Sequence, residues 1–220
     1  GLLDRLTKYY LFNIKKFDPE KFTAATFKIE GSSQEVEQQL KNLKSLSKKH
    51  NGFVAGESTG KSGYLATMVI AYIRELIFTQ NILGETMETS VPWSKINQVK
   101  SEAHKLLIKL HKKHNLPGKP FFTSRISKIY HTGVCMYNTI AMCYDGIDSP
   151  EDVFTEIEYA MRANFIENGG SISHHHGVGK LRKDFMKDTI SDGSISLIKG
   201  IKKDQDPKNI FGVDNNIVND

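Results

Sequence analysis

Residues 168–180 read Asn-Gly-Gly-Ser-Ile-Ser-His-His-His-Gly-Val-Gly-Lys, and Lys180, Arg182 and Lys183 place cations directly after the histidines. Histidine gives and takes protons near neutral pH. Glycine costs a fold backbone entropy, so a dense cluster implies positive φ or close approach to a ligand. Together these types predict a backbone bent around a small anionic ligand, with proton-transfer groups beside it. A solvated loop is the competing reading of three histidines. A metal site is disfavoured, because directly adjacent side chains seldom converge on one ion and no nearby Cys or Glu-x-x-His has ligand spacing. An expression tag does not fit an internal, short run. Nor does a phosphate loop: Gly177-Val178-Gly179-Lys180 lacks the Walker spacing, and Leu181 stands where Ser or Thr is needed.

Two residues outside the loop also draw notice. Arg74 sits within the apolar run 64–78, and a buried guanidinium needs a partner, carboxylate or phosphate being the bidentate match. A structural ion pair satisfies it equally well. Tyr137 lies in Val134-Cys135-Met136-Tyr137-Asn138, sharing a face with Cys135 and Thr139 by the period of two. A strand tyrosine is ordinarily core or sheet surface.

The elements that must position these groups read as an alternation. Phe22 to Ile29 predicts a strand. Ser32 and Glu35 form a capping-box pair before a helix whose Val36, Leu40 and Leu43 share one face, and Asn51-Gly52 ends it. The run 64–78 is strongly apolar. Asn81 to Val91 reads as a strand or extended turn, and Pro92-Trp93-Ser94 opens a helix to about His114. After Pro117-Gly118-Lys119-Pro120, residues 121–145 predict a hairpin turning at Tyr130–Gly133. Ser149 as cap and Pro150 in the first turn start a helix that ends at Asn168-Gly169. Short helices follow near 181–186 and 194–202. Alternating strands without dinucleotide-binding glycines predict an α+β fold, an antiparallel sheet flanked by helices.

The chain has 220 residues, 39% hydrophobic and 25% charged, ordinary for a globular protein. No apolar run approaches the roughly 20 residues of a membrane helix. The net charge of +5 comes from scattered basic residues without an aromatic-interleaved stripe, so nucleic acid is not an expected partner. Cys135 and Cys143 lie on one expected strand, roughly 26 Å apart at about 3.3 Å per residue, so they cannot pair there. A reducing compartment fits that usage better than secretion. The start, Gly-Leu-Leu-Asp-Arg-Leu, lacks both an initiator methionine and a secretory pattern, so the chain is expected to begin inside a longer one.

Five segments in order carry a family resemblance: Gly-Tyr-Leu-Ala-Thr-Met-Val-Ile-Ala-Tyr-Ile-Arg at 63–74, Leu-Gly-Glu-Thr-Met-Glu-Thr-Ser-Val-Pro-Trp at 83–93, Gly-Val-Cys-Met-Tyr at 133–137, the histidine segment at 169–183, and Asp-Pro-Lys-Asn-Ile-Phe-Gly at 206–212. On these the chain resembles the C-terminal part of the alkylglycerone-phosphate synthases. These are flavoenzymes of ether-lipid synthesis within the vanillyl-alcohol-oxidase-like superfamily.

The resemblance implies a cap, or substrate-binding, domain over residues 1–205, including the loop 168–180, and a tail 206–220 returning towards the flavin. It places the main FAD-binding domain N-terminal to this chain and outside it, so residues 1–220 alone are expected to be inactive. It implies a redox-neutral reaction on FAD: a fatty alcohol replaces the acyl group of acyl-dihydroxyacetone phosphate, forming an ether bond. Such chemistry needs removal of a carbon-bound proton, an acid for the departing oxygen and an anchor for phosphate. By motif position, Tyr137 is the catalytic proton donor or acceptor, Arg74 binds substrate, and His174, His175 and His176 form the essential histidine segment. The resemblance further implies a homodimer, membrane-surface association and a peroxisomal location, although Ile-Val-Asn-Asp at the end is no peroxisomal signal. A redox flavoprotein acting on a 2-hydroxy acid, or a non-enzymatic binding domain, are the alternatives.

Overall fold

The computed structural model describes residues 2–19 and 21–215, without the side chains of residues 2–4, 67, 70, 71 and 74. The chain divides into two compact units, Gly1–Ile73 and Arg74–Asp220. In the first unit, α1 (Leu2–Tyr9) continues into a π-helical turn, Tyr10–Ile14. Helix α2 (Ser33–Lys49) starts with the expected capping box: Ser32 Oγ accepts the Glu35 amide and the Glu35 carboxylate accepts the Ser32 amide. The strand expected over 22–29 does not form, and that stretch has no regular structure. Strand pairing is a tertiary contact that local composition does not supply. Phe22 instead meets Phe12 edge-on and Phe17 at a tilt, with ring centroids 5.8 and 5.9 Å away.

Helix α3 (Glu57–Phe78) carries the apolar run across the boundary between the units. Its character is helical, but it is not a buried core segment: Leu65, Met68, Val69, Tyr72 and Leu76 are exposed. The side chain of Arg74 lies outside the described residues. No described helix is long and apolar enough to cross a membrane.

The second unit is built on β1 (Ile82–Pro92), β2 (Phe121–Ile129) and β3 (Gly133–Cys143), antiparallel in the order β1-β3-β2. The hairpin turns where the sequence places it, with the Tyr130 amide donating to the Gly133 carbonyl at 2.8 Å. Period-two alternation gives the sheet two unlike faces. On one, Met87, Val91, Val134, Met136 and Ile140 are buried against α4 (Ile96–Lys113) and α5 (Pro150–Glu167). Val99, Ala103, Leu107 and Leu110 form the α4 stripe, and Ile157, Met161 and Phe165 that of α5, at helical spacing. Both stripes point into one core, so the helices cover that face alone. The other face carries Thr86, Glu88, Tyr137 and Cys135 by register, since Glu88 stands opposite Tyr137 and Ser90 opposite Cys135.

Ser149 precedes α5 but is no cap: its φ is 49° and its side chain makes no capping bond. Its left-handed backbone departs from the extended conformation that a capping residue adopts. Pro150 occupies the first turn as read. Cys135 and Cys143 are free, at opposite parts of β3. Beyond α5, a 3-10 turn (Lys183–Asp188) and α6 (Asp192–Gln205) build a small second core around Ile172, Phe185, Met186 and Ile195. The Asp206 carboxylate then accepts the amides of Ile210 and Phe211 at 2.9 Å each. Lys202 first, then those amides, hold its pKa down to about 2.

Candidate active site

Strand β1 stitches the histidine loop in place. Ser171 exchanges two bonds with Ser90, its amide donating to the Ser90 carbonyl at 3.0 Å and its Oγ accepting the Ser90 amide at 2.8 Å. Thr89 Oγ1 donates to the Ser171 carbonyl at 2.8 Å. The central anchor is Glu88, only 2% exposed. Its Oε1 accepts Ser173 Oγ at 2.8 Å, the His175 amide at 2.9 Å and the His176 amide at 2.8 Å. Burial by itself would raise this carboxyl, but the His176 amide, Ser173 hydroxyl, His175 amide and His174 amide outweigh it and hold the pKa below the usual carboxylate range. Glu88 is therefore charged, and the loop wraps around it.

The glycines divide by reason. Gly169, Gly177 and Gly179 take φ of +92°, +74° and +57°, where a side chain is strained. Gly170 answers to close approach: a Cβ there would stand 2.5 Å from Thr89 Oγ1 and 2.9 Å from the Phe165 carbonyl oxygen. Gly170→Ala is expected to cost about 1–3 kcal/mol by overpacking, read as a lower melting temperature. An unchanged melting curve would mean the loop has slack there.

Tyr137, opposite Glu88 across the β1–β3 pair, meets this loop. Its ring lies 6.0 Å from that of His175, stacked at 25°, and 5.5 Å from that of His176, edge-on at 88°. Its hydroxyl donates to Thr86 Oγ1 at 3.1 Å, and the Arg125 guanidinium lies 4.6 Å over its ring. His174 Nε2 meets the Tyr130 hydroxyl at 2.7 Å, and its Nδ1 meets His175 Nδ1 at 2.9 Å. His175 and His176 are exposed.

Although His176 is exposed as a residue, partial desolvation of its ring is the first cause that lowers its pKa; Glu88 opposes this, while His175 and Arg182 reinforce it. At neutral pH His176 is thus a neutral imidazole able to accept a proton. Behind the loop lie Arg182, 7% exposed, and Arg162, 4% exposed and paired with Glu158. Burial first and Arg162 next lower the pKa of Arg182.

Acid is expected to weaken this unit. Glu88 is depressed in the fold, so its stabilisation is present above the unfolded value near 4.5 and disappears as pH falls through the lower folded value. His176 is depressed from 6.5, so the unfolded chain binds more protons below that pH and the same trend begins there. Melting temperatures should fall steadily from neutral pH into the carboxylate range, and less so at the acid end in Glu88→Gln. A flat profile would contradict the anchor.

The structure thus brings Tyr137, His174, His175 and His176 into one cluster on the sheet face that the helices leave open. Arg74 contributes no described side chain to it. Glu88, Ser171, Ser173 and Tyr130 are not marked as site residues by the sequence, where they stand 44 to 88 positions from their partners, and Arg125 meets Tyr137 only through the pairing of β2 with β3. An acidic residue flanked by Met87 and Thr89 is the available signal for Glu88, and Glu85 in the same strand blunts it. The cluster can accept a proton at His176, donate one from Tyr137, and hold its imidazoles against one buried negative charge.

A family model described as FAD linked oxidases, C-terminal domain, matches residues 4–213. The alkyldihydroxyacetonephosphate synthase of Caenorhabditis elegans is 37% identical over 210 residues, 96% of this chain and 35% of that protein. That of Dictyostelium discoideum is 26% identical over 205 residues, 93% of this chain and 33% of that protein. A solved alkyldihydroxyacetonephosphate synthase, in a P212121 crystal form, shares the fold with a TM-score of 0.62 at 21% identity, over 94% of this chain and 34% of that one. The chain spans about a third of the length of the curated relatives it matches.

Proposed function

Since the chain belongs to the family of FAD-linked oxidase C-terminal domains, we propose that it is the substrate-side domain of an alkylglycerone-phosphate synthase. The reaction is exchange of the acyl group of acyl-dihydroxyacetone phosphate for a fatty alcohol. One ether bond forms, one ester bond breaks, and the acyl group leaves as a fatty acid. The observation that carries this reading is the meeting of Tyr137 with His175 and His176 on the open sheet face, ring centroids 6.0 and 5.5 Å apart. The 37% identity to the Caenorhabditis elegans synthase supports the choice of reaction.

The chain's own groups divide the proton work. His176, held neutral, accepts the proton removed from the substrate carbon. Tyr137 is the acid for the departing oxygen. His174 and His175 complete the essential histidine segment, and Arg74, by motif position, pairs with the substrate's anionic end. FAD, when bound, supplies the centre at which acylate is exchanged for alkoxide. Exposed, flat rings beside a proton carrier fit the substrate side of a flavin; they are not a dinucleotide cradle. We therefore assign the FAD contacts mainly to a domain outside residues 1–220, with residues 1–205 as cap and the tail from 206 directed back towards the flavin. A homodimer, contact with a membrane surface and a peroxisomal location complete the proposal, all by likeness to the synthases.

The test is redox balance in flavin-loaded protein containing this chain. With acyl-dihydroxyacetone phosphate and a fatty alcohol, and no electron acceptor, ether and fatty acid are expected in equal amounts with the flavin still oxidised at the end. Lasting bleaching by a 2-hydroxy acid, without ether formation, would move the chain to the redox members of its family.

A further inference from the structure

The histidine loop and the strands beneath it converge on a point that proton transfer does not explain. One oxygen of Glu88, Cys135 Sγ, and one ring nitrogen each of His174 and His175 all lie within 4.8 Å of one another. Two of these residues come from β1 and β3, and two from the loop. Oε2 of Glu88 is fully buried and has no hydrogen-bond partner. The group facing it is His175 Nδ1, 3.8 Å away, beyond hydrogen-bond reach. A buried carboxylate oxygen without a partner is costly. The two Nδ1 atoms of His174 and His175 stand 2.9 Å apart, so two ring lone pairs turn into the same space unless one carries a proton.

We propose that Glu88, Cys135, His174 and His175 form a binding site for a single zinc ion. Thiolate, imidazole and carboxylate are zinc's own ligand types, and four such groups make a closed tetrahedral site. Bonds of about 2.0–2.3 Å to the ion put ligand atoms roughly 3.3–3.8 Å apart in a tetrahedron, so the widest spacings contract by about an ångström while the two Nδ1 atoms, 2.9 Å apart, part slightly. His175 is exposed, so its ring can turn towards the ion with little repacking of the core. Charge closes as well: carboxylate and thiolate, both on fully or nearly fully buried residues, balance the dication. His174 has an outer partner on the ring nitrogen away from the cluster, the Tyr130 hydroxyl on its Nε2 at 2.7 Å, which fixes the ring as outer partners of ligating imidazoles do. Neither the flavin nor the substrate takes part, so the site forms whether or not the synthase reading holds.

The test is zinc binding by the full chain, stripped with a chelator and titrated in competition with a chromophoric one. One zinc per chain is expected, and cobalt in its place should give a near-ultraviolet thiolate-to-cobalt band. Cys135→Ser should abolish that band. Cys135→Ser and His175→Ala should each weaken zinc by more than the roughly 10–100-fold that loss of an outer partner costs. If the buried Cys135→Ser variant fails to fold, His175→Ala, which removes an exposed side chain, and the cobalt band of the parent chain decide the question. No zinc bound against the competitor, no thiolate band in the parent, or wild-type affinity in His175→Ala would each overturn the site.

Discussion

Glu88→Ala is expected to release the histidine loop from the sheet and to lower stability by about 3 kcal/mol or more. Oε1 alone accepts Ser173 Oγ and the amides of His175 and His176. Each buried donor left without its acceptor costs about 1–3 kcal/mol, and water entering the space would recover part of that sum. For a chain of this size the melting temperature should drop by roughly 6–12 °C. Glu88→Gln separates charge from geometry, because its amide oxygen can still accept all three bonds while the negative charge is gone. It should sit between the parent and Glu88→Ala. Tyr137 reports on the same change: its stacking on His175 orders both rings, so faster exchange of the His175 and His176 amides should accompany the loss. An Ala variant that melts with the parent and keeps those amides protected would show that the Ser171–Ser90 and Thr89 bonds hold the loop unaided.

Tyr137→Phe is expected to lower the rate of ether formation by about 10²–10⁴, the range that a positioned proton carrier contributes. Its effect on the fold should be small. The hydroxyl makes one bond, to Thr86 Oγ1 at 3.1 Å, worth about 0.5–1.5 kcal/mol between neutral partners. The ring contacts to His175 and His176 and the Arg125 guanidinium above it survive the change. Thr86→Val is the matching control, since it removes the hydroxyl's partner and leaves the phenol. Normal folding with a collapsed rate in Tyr137→Phe, and a near-normal rate in Thr86→Val, would place the proton on the tyrosine. A less than tenfold loss in Tyr137→Phe would remove it from the chemistry.

Local signals carried the reading of the sheet and its helices. The capping box of Ser32 and Glu35, Pro150 in the first turn of α5 and the Tyr130–Gly133 turn each act within a few residues, and each stands where it was read. Tyr137 and the histidines were legible as motifs. That they touch was not, because their contact depends on the register of β1 against β3 and on serines that pair across |i−j| of 81 to 85. The same distance hid Glu88 as an anchor and Cys135 as a neighbour of the loop. Residues 22–29 differ for the opposite reason: composition favours a strand there, but among the described residues they join no ladder. The apolar run on α3 looked like core, yet Tyr72 is 76% exposed, since period and composition do not say what covers a helix.

The most direct measurement uses flavin-loaded protein containing this chain, given palmitoyl-dihydroxyacetone phosphate and labelled hexadecanol, with the parent and Tyr137→Phe compared at equal flavin content. The expected result is label in an acid-stable ether from the parent and at least about a hundredfold less from the variant. Label that never enters an ether, or enters it equally in both proteins, would contradict the assignment of this cluster as the proton-transfer site of ether-bond formation.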